Sequence, residues 1–166
     1  MIKKIFGAFG LSVSLSVAAA DAPPSPPPVP PSYGAPITLA DARKCVAAAQ
    51  AHASKNQWFM VMTVLDSGGH VVLTERMDNA QFGSVAPAMK KARTAAAFRR
   101  PSKVFEDIVA QGGAGLRIMR LDGAMPIDGG LPLIRNGVLI GAIGVSGGTS
   151  AQDGEAAAAC TAALVP

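Results

Sequence analysis

Two histidines, two cysteines and a run of six cations are the residues of this chain whose type and spacing suggest chemistry. His52 follows Cys45 by seven residues, so both project from nearly the same side of any helix that holds them. An imidazole emerging at the border of an apolar stripe is what an iron porphyrin or another soft metal centre needs. The alternative is an ordinary interfacial histidine. Lys90, Lys91, Arg93, Arg99, Arg100 and Lys103 place six positive charges and no acid within 14 residues. Such a field suits a small anion, a polyanionic surface or the carboxylates of a cofactor, and an arginine grips a carboxylate with two parallel hydrogen bonds. A solvated helix face is the plainer reading.

Two glycine clusters extend the anion theme. Asp128-Gly129-Gly130-Leu131-Pro132 precedes a predicted strand, and Ser146-Gly147-Gly148-Thr149 opens a predicted helix. Either can aim backbone N–H groups at an anion, although turn glycines are the commoner explanation. Neither is followed by the Gly-Lys-Ser/Thr of a phosphate-binding loop. Cys45 and Cys160 fall on the first and last predicted helices, where they form a bridge or remain two buried thiols.

These groups need a scaffold, and 166 residues with 49% apolar content supply one core. The charged fraction of 16% and the net charge of +4, which includes Lys3 and Lys4, do not describe a nucleic-acid binder. Residues 1–22 carry a basic start, a short apolar run and an Ala-x-Ala pattern, and are predicted to be a secretory signal. The apolar run is shorter than the roughly 20 residues of a membrane span, so a periplasmic or secreted protein is expected. Residues 23–35 hold seven prolines within nine positions and read as a linker in polyproline II or disordered form.

The domain is predicted to occupy residues 36–166. Thr38-Leu39-Ala40-Asp41 has the form of a capping box and starts a helix running to about Lys55, with a stripe of Leu39, Ala42, Val46, Ala49 and Ala53. Trp58–Leu65 and His70–Met77 read as antiparallel strands joined by a glycine turn. Phe82, Val85, Met89, Ala92 and Ala96 mark a helix closed by Pro101. A short helix over 102–110 follows, then a loop over 111–128. Residues 131–134 and 138–145 form a hairpin about Asn136-Gly137. Ser150-Ala151-Gln152-Asp153 caps a final helix. The order predicts an α+β domain, with a central antiparallel sheet of about five strands covered by helices.

Taken together, Thr38–Ala42, Val64–His70, Glu75–Asp78, Lys91–Ala95, Phe98–Ser102, Gly129–Leu133 and Gly141–Gly148 resemble the GlcG/HbpS family, over about residues 36–164. The resemblance implies a small α+β domain that forms symmetric oligomers, found free, exported or fused to PduO-type corrinoid adenosyltransferases. It also implies binding of haem or iron, with haem degradation or sensing through a membrane kinase in some members. His52 lies on the helix where a family haem ligand can lie. Beside that, Arg93, Arg99 and Arg100 are assigned here to haem propionates, and Gly129, Gly130, Gly147, Gly148 and Thr149 to anion cradles. The expected function is therefore exported haem binding for uptake, storage or sensing. Its rivals are an enzyme acting on a carboxylate held by Arg99 and Arg100, with Asp66, Glu75 or Glu106 as base, and a ligand-free structural or signalling oligomer.

Overall fold

The computed structural model describes residues 29–164; the predicted signal sequence and most of the proline run lie outside them. Nine elements follow in order: β1 (Ser32–Tyr33), α1 (Leu39–Lys55), β2 (Val61–Asp66), β3 (Val71–Arg76), α2 (Val85–Phe98), α3 (Ser102–Ala110), β4 (Gly130–Arg135), β5 (Val138–Ser146) and α4 (Ser150–Ala163). Short 3₁₀ segments span Phe82–Ser84 and Gly113–Arg120.

β5 is the centre of the sheet. It pairs antiparallel with β2 and β4, and β3 pairs antiparallel with β2 at the edge. The sheet departs from the all-antiparallel expectation at β1, which runs parallel to β5 at Val138 and Leu139. β1 comes from the segment assigned to the linker: two residues after the last proline have free N–H groups and can enter a ladder. The β4–β5 turn is as expected, with Asn136 and Gly137 at φ values of 52° and 76°.

Alternate residues of each strand face different helices. Met62, Val64, Ile143 and Val145 join Val46, Ala49, Ala53, Ala156 and Ala157 in a core beneath α1 and α4. Val61 meets Ala88, and Ala142 meets Ala95 and Ala96, beneath α2. The sheet therefore separates an α1/α4 layer from the layer that holds α2.

The α2 layer is unusually close. A β-carbon at Gly144 would lie 2.0 Å from the Ala88 carbonyl oxygen and 2.5 Å from the Ala92 nitrogen, so only glycine fits there. This explains why the buried face of α2 keeps Ala92 and Ala96 of the expected stripe but otherwise consists of Ala88, Lys91, Thr94 and Ala95. The bulkier Phe82 and Met89 are exposed. In α1 the stripe holds except for Leu39, which is also exposed.

Candidate functional site

His52 sits in the last turn of α1, a helix started by Thr38, whose hydroxyl accepts from the Asp41 N–H. α1 and α4 lie side by side and are joined by the Cys45–Cys160 disulfide, which resolves the thiol question in favour of a bridge. From this position His52 faces Glu155 of α4, with Nε2 3.7 Å from a carboxylate oxygen. That is beyond hydrogen-bond range. The Trp58 ring centroid is 5.7 Å away. Although the side chain is one-third exposed, Nε2 itself is buried and has no hydrogen-bond partner. Among the described residues it alone has this status. Trp58 also walls a cleft of about 280 Å³ with Phe59, Asn79, Gln81 and Gln152.

The six cations of the α2–α3 region do different things. Arg99 ends α2 in the left-handed conformation, φ 53°, and Nη1 donates to the Pro31 carbonyl at 3.2 Å. Its guanidinium lies 5.2 Å from the Tyr33 ring centroid. Arg100 donates through Nε to the Phe98 carbonyl and lies 5.9 Å over the Phe105 ring. Arg93 stands between two shallow pockets, one with Tyr33, Gly68 and Gly69, the other with Lys90, Gly123 and Met125. Lys103 pairs with Asp107, and this pairing raises its pKa.

Lys91 points inward. Its ammonium is buried, 2.6 Å from an Asp153 oxygen, and donates to the Val145 carbonyl at 3.1 Å. The two glycine clusters converge on this pair. A β-carbon at Gly129, where φ is +111°, would stand 3.1 Å from Lys91 Nζ and 2.8 Å from Asp153 Cβ. The Gly148 N–H donates to Asp153 Oδ1 at 2.9 Å, and the Gly130 N–H to Ser102 Oγ at 2.9 Å. The Gly129 N–H goes to Asp128 Oδ1. These loops thus enclose a carboxylate of the chain itself. Burial pushes the Asp153 pKa up despite Lys91 and the Gly148 N–H, which act the other way. Burial also raises Asp128, and the neighbouring Glu106 charge adds to it.

Sequence reasoning missed Asp153 and the inward turn of Lys91. The cap of α4 is one residue earlier than expected: Thr149 and Gln152 form the reciprocal box, which leaves Asp153 free to turn toward Lys91. A signal was present, since Lys91 occupies the same helical face as Ala88, Ala92 and Ala95. Thr149 is committed to the cap and Gly147 to the turn before it. Of the three candidate bases, Glu106 accepts from the Asp128 N–H and from Ser150, and Asp66 accepts from the N–H groups of Gly68 and His70. Burial raises the Asp66 pKa, but those two N–H bonds together with the neighbouring His70 side chain hold it below the usual value. Glu75 lies exposed on β3.

The structure therefore brings the glycine loops together around Lys91, and it does not bring His52 together with the arginines. His52 belongs to the α1/α4 layer, while Arg93, Arg99 and Arg100 belong to α2 and its end, across the sheet. One ligand within one subunit does not reach both.

With this geometry in view, residues 37–162 match the model of a family described as haem degrading protein HbpS-like. The chain belongs to the HbpS-like family. It is 39% identical to protein GlcG of Escherichia coli K12 over 105 residues, 63% of this chain and 77% of GlcG. Its fold is similar to that of PduOC in a crystal structure of a PduOC:haem complex, with TM-score 0.70 and 33% identity over 78% of this chain and 95% of that one. It is also similar to an HbpS double mutant from Streptomyces reticuli, with TM-score 0.73 and 27% identity, covering 90% of this chain and 99% of the other. The HbpS-like match spans every helix and every strand from α1 to β5, together with nearly all of α4.

Proposed function

We propose that this HbpS-like chain is an exported haem-binding domain in which His52 ligates the iron. The observation that carries the reading is the buried, unpartnered Nε2 of His52. A buried polar atom without a hydrogen bond costs about 1–3 kcal/mol, and an iron centre is a partner that removes this cost. The donor fits: an imidazole nitrogen is a common haem ligand. Glu155, whose oxygen stands 3.7 Å from Nε2, has a side chain 60% exposed and so is free to move. Trp58 supplies aromatic surface beside His52, its ring centroid 5.7 Å from that of the imidazole.

The same family contains a haem-bound relative at 33% identity, which supports the cofactor. Haem bound at His52 would supply a redox-active iron. The cleft at Trp58, about 280 Å³, falls short of the roughly 300–1,000 Å³ of small-molecule pockets. A second copy of the chain therefore completes the enclosure in this reading, and the protein is a homo-oligomer. Export is supported by the predicted signal and by the disulfide, since such bridges persist in oxidising compartments.

The test is a haemin titration followed by Soret absorbance, wild type beside His52→Ala. Saturation at micromolar protein, where a site of about −8 kcal/mol is half filled, is expected for the wild type and lost in the variant. A titration that does not saturate in either protein contradicts haem binding, and equal saturation in both contradicts the ligand assignment.

A further inference from the structure

A cavity on the other side of the sheet from His52 is left unused by the proposed function. It measures about 750 Å³ and is walled by Val29, Pro30 and Pro31 before β1, by Pro101 and Val104 at the start of α3, and by Pro132 and Ile134 of β4, with Arg99 and Arg100 at its rim. Val104 and Ile134 are exposed to solvent, although each is large and apolar.

Four of these nine residues are proline, so much of the wall has a fixed backbone and little entropy to lose on binding. The two arginines have different duties. Arg99 is spent on the structure, holding Pro31 and stacking on Tyr33, which fastens one wall of the cavity to the end of α2. Arg100 is held by its Nε bond to Phe98 and by the Phe105 ring, and its outer N–H groups make no hydrogen bond or ion pair among the described residues. Among the described residues no acid lines the cavity, and no histidine, cysteine, methionine or tyrosine does either, so these walls offer an iron nothing to bind.

We propose that this cavity binds a single-headed amphipathic carboxylate of the fatty-acid type, its alkyl chain along the proline wall and its carboxylate on the outer nitrogens of Arg100. The apolar walls and the unopposed guanidinium are complementary to both parts of such a ligand, and a ligand without a metal needs none of the groups the cavity lacks.

Isothermal titration of the protein with dodecanoate, kept below its micelle concentration, tests this, with dodecanol and dodecylamine as controls. Saturable binding of one dodecanoate per chain is expected, weakened about tenfold or more in Arg100→Gln, in line with the loss of a hydrogen bond to a charged group. The dodecylammonium cation should not saturate. Val104→Asp should abolish binding while the circular dichroism stays unchanged. Haemin ligation at His52 should be the same in both variants, so failure here is distinguishable from failure of the haem reading. Absence of saturable dodecanoate binding, equal affinity in Arg100→Gln, or equal affinity for dodecanol overturns the proposal. So does a concentration-dependent rise in mass that Val104→Asp abolishes, because a second copy then occupies the cavity.

Discussion

The two faces of the sheet are built on different principles. The α1/α4 face sets the large strand side chains Met62, Val64, Ile143 and Val145 against helices whose buried residues are mostly alanine, and it is crossed by the Cys45–Cys160 bridge. The α2 face replaces side-chain volume with close backbone contact, alanine against Gly144, and buries a charge, Lys91, where the first face buries a disulfide. A covalent link joins α1 to α4 whatever the pH; α2 instead reaches the start of α4 through the buried ion pair of Lys91 with Asp153. The unpartnered imidazole stands on the covalently braced face, where a polar atom can remain unsatisfied without loosening the helices around it.

Breaking the covalent brace should have the largest effect. In the chain-entropy model a bridge between residues 115 apart stabilises by about 5 kcal/mol. Replacing Cys45 and Cys160 together by serine should lower the melting temperature strongly. Hydrogen exchange should rise first in α1 and α4 and later in α2. Simultaneous loss of protection in all three helices would mean that the faces are one cooperative unit and the contrast is only geometric.

Removing the cation on the other face comes next. Lys91→Met leaves Asp153 buried without its partner, a change that typically costs about 3–5 kcal/mol. The double variant with Asp153→Leu should recover much of this in chemical denaturation. Recovery is not expected if Lys91 acts independently of Asp153.

A smaller effect, about 1–3 kcal/mol, is expected for Gly144→Ala, which forces α2 away from β5. An alanine tolerated there without change in the urea midpoint would refute the close-contact account of this face.

The smallest effect is electrostatic. The Asp128 pKa is raised by burial, so its contribution to folding is fully present below the unfolded value near 3.8 and is lost as pH rises through the folded pKa. Ionised Asp128 therefore weighs against the fold at neutral pH. Asp128→Asn keeps an oxygen for the Gly129 N–H and should raise the melting temperature at pH 7, with the gain shrinking toward pH 3. Asp41 behaves oppositely. The hydrogen bond from Arg135 lowers its pKa despite some desolvation, so its stabilisation is present above 3.8 and lost as pH falls through the lower folded value.

Much of this architecture is legible in the chain. Thr38 at a cap, Asn136-Gly137 at a hairpin and the dense apolar, β-branched run of β2 are local signals, and each element lies within a few residues of where those signals put it. What local signals do not carry is which face of a sheet a helix covers. His52 and Arg99 read as parts of one pocket because nothing in their spacing says that α1 and α2 lie on opposite sides. The buried face of α2 was also hidden, since it is decided by Gly144 in a strand more than 50 positions away rather than by the helix's own bulky residues. β1 was masked by its prolines, because its two pairing residues follow them directly.

The separation of His52 from the arginines gives the haem reading its most direct test. Haem-loaded protein should be examined by electron paramagnetic resonance, comparing wild type, His52→Ala and an Arg93→Gln/Arg99→Gln/Arg100→Gln variant. The account predicts a histidine-ligated ferric signal in the wild type and the arginine variant, absent from His52→Ala. A signal that survives His52→Ala and disappears with the arginines would place the haem on the α2 face and contradict it.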